Sequence, residues 1–193
     1  HPRGGFPSPM GASRQPELAR GVLLLDSPLL GGWKATALNA MKLTPLVGSL
    51  SPGAVSRKRR NSWPSKEAVL EHLRHKKAFA KWDPQALLDY VTHCTHDTGD
   101  GGQTLSFDRD IETVIYNTLP DNLDRLLKRH PLKCPAAFIG GRQSLEMKQV
   151  GLAMTQQVTR GRIMMLDGSH LFPMEKPLAT AADLESTRLN LGG

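Results

Sequence analysis

The chain has 193 residues, 39% of them hydrophobic, enough for one domain core with room for an inserted subdomain. Its formal charge of +7 is unevenly placed, with 14 Lys/Arg against 5 Asp/Glu through Asp83 and 11 against 13 beyond it. No apolar run approaches the ~20 residues of a membrane span, and the polar start "HPRGGFPSP" is unlike a secretory leader.

The densest basic block, Arg57-Lys58-Arg59-Arg60, has no interleaved aromatics and sits in no nucleic-acid-binding motif. It reads as a solvated basic edge, and no nucleic-acid partner is expected. Cys94 and Cys134 lie far apart without framework spacing, which fits a reducing, cytoplasmic setting. Position 1 is not methionine, and the expectation is a piece of a longer chain.

Residues 1–19 read as loop with a short helix around Met10–Leu18. "RGVLLLD" (Arg20–Asp26) is a continuous apolar run ending in an acid, the pattern of a parallel strand buried on both faces. Asp26 then stands at the carboxyl end of that strand, the edge where open α/β sheets gather ligands and catalytic groups. The next hundred or so residues read as mostly helical. "LLGGWKATALNAMKLTPL" is periodic after its glycines, and "VGSLSPGAVSRKRRNSWP" is a linker. A helix follows over "SKEAVLEHLRHKKAFAKW", capped by Ser65. Another over "DPQALLDYVTHC" has Asp83 as N-cap and Pro84 at its first position. "DTGDGG" is a turn, "QTLSF" a short extended segment, and "DRDIETVIYNTL" and "NLDRLLKRH" are helices.

From Cys134 the pattern changes. "CPAAFIGG" and "RIMMLDG" are short apolar runs flanking an amphipathic helix, "SLEMKQVGLAMTQQV", which together spell a βαβ unit with parallel strands. The loop "GSHLFPMEKP" then presents His170, and "ATAADLESTRLNL" closes the chain as a helix. Three such strands need further neighbours and cover on both faces. The expectation places those neighbours upstream of His1.

Asp26 and His170 both fall at carboxyl ends of predicted parallel strands, hence on one sheet edge. A carboxylate that holds the imidazole Nδ1 proton leaves Nε2 free to act as a general base. A metal reading of "THCTHD", with His93, Cys94, His96 and Asp97, lacks the second, separated ligand pair that zinc motifs use. No metal site is expected there.

At this point the chain resembles the carboxyl-terminal half of the α/β-hydrolase family over roughly residues 20–190. The resemblance rests on the order acid, insertion, strand, helix, strand, histidine, and on the G-x-H loop of "GSHLFPMEKP". It implies an α/β fold: a partial hydrolase sheet of parallel strands with flanking helices, plus an inserted helical lid. Residues 1–27 would hold the remnant of the nucleophile elbow and one core strand, 28–130 the lid and its connection, and 131–193 the rest of the core. The family's acid most often follows the penultimate strand, where this chain reads "GGRQSLEMK" with Ser144 in the expected place. Asp26, after the preceding strand, is the acid favoured by the resemblance, and Glu146 is the alternative. The elbow G-x-S-x-G would fall on "HPRGG", so Pro2 occupies the position of the nucleophilic serine and the Arg3 amide that of an oxyanion donor. Trp33, Leu171 and Phe172 would line an apolar acyl pocket, with Trp63 and Trp82 in the lid walls. The implied activity is hydrolysis of a small ester or similar acyl substrate without a cofactor. The competing expectation, favoured by Pro2, is a non-catalytic hydrolase-like binding protein or an inactive fragment.

Overall fold

The computed structural model describes residues 7–31, 59–117 and 122–192. These fall into two compact units, one made of 7–31, 122–172 and 178–192, the other of 59–117 with 173–177.

The first unit opens with α1 (Pro7–Arg14), a 3-10 turn (Pro16–Leu18) and β1 (Val22–Leu25). It resumes with α5 (Leu123–Arg129) and β5 (Ala136–Gly141), and ends on β6 (Ile163–Leu166), with α8 (Pro177–Asn190) closing the chain. The strands form a parallel sheet in the order β1-β5-β6, with Leu24 opposite Phe138 and Ile139 opposite Met164. β5 is buried at all six positions because strands flank both its sides and helices cover its faces. Its Ala136 and Phe138 join Val22, Leu24, Leu29, Leu123, Leu127 and Ala12 in one core. The continuous apolar runs of the sequence are thus parallel strands, as a sheet covered on both faces requires.

The helix expected over "SLEMKQVGLAMTQQV" is instead two: α6 (Leu145–Val150) and α7 (Ala153–Thr159). Gly151 ends α6 at φ 82°, a left-handed conformation that costs glycine nothing. The apolar periodicity runs across the break, which is why the pattern conceals it.

The second unit is inserted between β1 and β5. It contains α2 (Lys66–Arg74), α3 (Pro84–His93) and α4 (Arg109–Asn117). The expected caps form: Ser65 Oγ accepts from the Ala68 amide, and Asp83 Oδ1 from those of Gln85 and Ala86. The unit is not purely helical, however. β2 (Ser62–Trp63), β3 (Thr95–Asp97) and β4 (Gln103–Leu105) pair as an antiparallel sheet, order β2-β4-β3. Part of the presumed linker is therefore a strand. The β3–β4 turn works because Gly99 and Gly101 adopt positive φ, while Asp97 and Asp100 accept the Gly99 and Gly102 amides. The basic block spends its last two residues locally: Arg59 pairs with Glu112 at 2.7 Å, and Arg60 donates to the Ser62 carbonyl.

Candidate active site

β1 pairs one residue beyond its end, through Asp26 N–H to the Ile139 carbonyl at 2.8 Å. There the chain turns away with Asp26 at φ 41°, a left-handed conformation that aspartate tolerates better than most residues. The turn aims a side chain only 1% exposed along the carboxyl edge of the sheet. Its Oδ1 accepts from the Gly141 amide at 2.7 Å, at the end of β5. Its Oδ2 accepts from Ser144 Oγ at 2.5 Å and lies 2.6 Å from His170 Nδ1. A carboxylate only accepts, so Nδ1 carries the proton and Nε2 is left as the basic nitrogen.

His170 follows β6 in a loop tied down by its neighbours. Gln143 N–H donates to the Gly168 carbonyl at 2.9 Å, and Leu171 N–H to Ser169 Oγ at 3.1 Å. Ser144 has a double task. Its hydroxyl donates to Asp26 and accepts from the Met147 amide at 3.1 Å, capping α6. Glu146, in the first turn of α6, is half exposed and reaches to 3.9 Å from His170 Nδ1. Asp26, Glu146 and His170 are the sole trio among the described residues whose ligand-type atoms lie within 4.8 Å of one another. A metal holding Nδ1 and Oδ2 at about 2.0–2.2 Å would keep them about 3.3 Å apart. The observed 2.6 Å is a hydrogen bond.

Burial disfavours the His170 imidazolium. The hydrogen bond to Asp26 outweighs this together with the charges of Glu146 and Asp26, so the pKa rises above its ordinary value. The stabilisation this represents is complete below the unfolded histidine's pKa of about 6.5 and is lost as pH climbs through the higher folded value. An NMR titration is expected to place His170 above 6.5; a midpoint at or below that value would mean the pair does not hold in solution.

The sequence reading thus selects two residues that the fold brings into contact, Asp26 and His170, with the alternative acid Glu146 beside them. Leu171 is half-buried next to the histidine. Phe172 is a correction: it is fully buried and offers a ligand no surface. Trp63 and Trp82 pack with Val69, Leu73, Leu87, Val91 and Phe79 in the second unit's own core. Pro2, Arg3 and Trp33 lie outside the described residues. The sequence reading misses the Gly141 amide and the Ser144 hydroxyl as donors to the acid. Ser144 had a signal, standing where the family's acid is expected.

No protein-family model and no curated protein matches the sequence. Solved structures do match. A thioesterase domain from the curacin biosynthetic pathway superposes with a TM-score of 0.65 at 20% identity, covering 93% of this chain and 62% of that one. E-2-(acetamidomethylene)succinate hydrolase gives 0.66 at 17% identity, over 96% and 63% of the two chains. A peroxisomal α/β-hydrolase of Saccharomyces cerevisiae gives 0.63 at 18% identity, over 96% and 48%. The chain therefore spans about half to three-fifths of the length of these structures. Its parallel core with flanking helices is part of an α/β-hydrolase fold.

Proposed function

We propose that the chain belongs to a hydrolase that cleaves an ester or similar acyl bond, with His170 as general base and Asp26 as the acid that orients it. The observation that carries this reading is the 2.6 Å hydrogen bond between a buried Asp26 and a partly buried His170 at the carboxyl edge of the parallel sheet. A core histidine needs no carboxylate that is itself fixed by two further donors. That arrangement suits a base whose tautomer must not change.

In the proposed reaction Nε2 takes the proton of a nucleophilic hydroxyl as its oxygen bonds to the acyl carbon. His170 then returns the proton to the departing alcohol, leaving an acyl-enzyme. Water repeats the sequence and releases the acid. Arg3 would supply an oxyanion amide, and a proline at position 2 has no hydroxyl to give. The second unit enters the chain between β1 and β5, where the resemblance puts a lid, and we assign it that role toward an apolar acyl group. No described helix is long and apolar enough to cross a membrane.

Expressed from its complete reading frame with Pro2→Ser, which restores a hydroxyl at the elbow position, the protein is expected to take a fluorophosphonate probe. His170→Ala should slow labelling about 10²–10⁴-fold, the usual worth of a general base. Equal labelling of both forms would end the proposal. Pro2 favours a second reading, a ligand-binding protein on a hydrolase scaffold. Cooperative folding with no labelling at all would support it.

A further inference from the structure

Asp26 serves three donors at once. Three donors share its carboxylate, from Gly141, Ser144 and His170, and each draws on the charge available to stabilise an imidazolium. Such a group fixes a tautomer well, because its geometry is determined from three sides. It has less charge left to raise the basicity of the ring. A second carboxylate stands near the same nitrogen. Glu146 Oε2 is 3.9 Å from His170 Nδ1 and 3.4 Å from Ser144 Oγ, the hydroxyl that also holds Asp26.

We infer that Glu146 is a positioning residue that acts through His170: its carboxylate supplies, from the solvent side, charge stabilisation of the imidazolium while Asp26 sets the tautomer. The inference rests on the acyl-hydrolase reading for its purpose, though not for its measurement. Among the described residues two carboxylates face the ring, Asp26 from the end of β1 and Glu146 from α6. Asp167, nearer in sequence, turns instead to Gln143 Nε2 at 3.1 Å. A simpler role for Glu146 exists, since an acid in the first turn of a helix favours that helix. It predicts an effect on α6 alone and none on the histidine.

The experiment is an NMR titration of His170 in the wild type, Glu146→Gln and Glu146→Lys, with ring ¹⁵N shifts to report the tautomer. Glu146 is half exposed, so both variants should fold, and matching melting curves would confirm it. The expected result is a downward shift of the His170 midpoint in Glu146→Gln and a larger one in Glu146→Lys. The proton should stay on Nδ1 throughout. The difference between wild type and Glu146→Gln should shrink near 1 M NaCl, where the Debye length falls to about 3 Å. In the complete enzyme the acid limb of the kcat/KM profile should move to lower pH with the midpoint.

An unchanged midpoint in both variants overturns the inference and leaves Glu146 a helix residue. A change of tautomer in Glu146→Gln overturns it too, because Glu146 would then be doing the work given to Asp26. The two proposals fail separately. If the Pro2→Ser protein never labels yet Glu146→Gln still lowers the midpoint, the enzyme reading falls and the coupling stands. If labelling depends on His170 while Glu146→Gln titrates as wild type, only the coupling falls.

Discussion

Asp26→Asn is expected to abolish the base function proposed for His170 while leaving the fold in place. The asparagine can keep its carbonyl on the Gly141 amide, where Asp26 Oδ1 now accepts at 2.7 Å. Its NH2 group then faces His170 Nδ1 and Ser144 Oγ. The serine can rotate its hydroxyl to accept. The imidazole can only respond by moving its proton to Nε2, the atom that must take a proton in the reaction. In a Ser-His-Asp triad, loss of the correct tautomer costs about 10⁴-fold in kcat, and the proposed chemistry predicts a loss of that order. The ¹⁵N shifts of the His170 ring and the rate of probe labelling would report the two halves of this chain of events. Labelling at the rate of the Pro2→Ser protein, with the proton still on Nδ1, would refute it. Asp26→Ala separates chemistry from stability. It removes the acceptor of the Gly141 amide and leaves the partly buried His170 ring without its 2.6 Å partner, and a buried group left unsatisfied costs about 1–3 kcal/mol.

That such a site can be traced from sequence follows from where its two principal residues sit. Continuous apolar runs mark parallel strands, and a polar group at the end of one falls on the sheet edge by topology alone. Asp26 ends "VLLL" and His170 closely follows "IMML", so both are placed before any coordinate is known. Ser144 is different. Its position shows only that an aspartate is missing. Its bond to Asp26 depends on the turn after β5 bringing a hydroxyl to a neighbouring strand's acid, 118 residues away in the chain. Periodicity carries no information about that.

Short elements escape for a related reason. β2 has two residues and β3 three, too few for an alternation to register, and their pairing with β4 is what makes them strands. Phe172 misleads in the other direction. Two residues from His170, it invites a role in binding, but the turn after His170 sends it fully inside. Nearness in sequence to a functional residue is a weak guide where the chain reverses.

The second large effect is expected at a residue with no side chain. Gly141 ends β5 where the His170 loop crosses it, and a Cβ there would sit 2.6 Å from the Gly168 carbonyl oxygen. The obstacle is backbone, so no flexible side chain can give way. Either the end of β5 or the loop must move. Overpacking of this kind costs about 1–3 kcal/mol. The functional loss should exceed the loss of stability, because the Gly141 amide is also one of the donors that hold Asp26. A displacement of about 1 Å breaks a 2.6 Å hydrogen bond and is worth about 10²-fold in rate. Gly141→Ala should therefore melt early and titrate His170 lower than wild type, since burial would act on the ring without its partner. Gly11 provides the control. It lies within α1 with nothing within 4 Å of a Cβ, and alanine there should stabilise by about 0.5–1 kcal/mol. If Gly141→Ala melts and titrates like the wild type while Gly11→Ala gains stability, the loop and β5 do not approach as closely as described. The geometry assigned to the Asp26–His170 pair would then be wrong at its base.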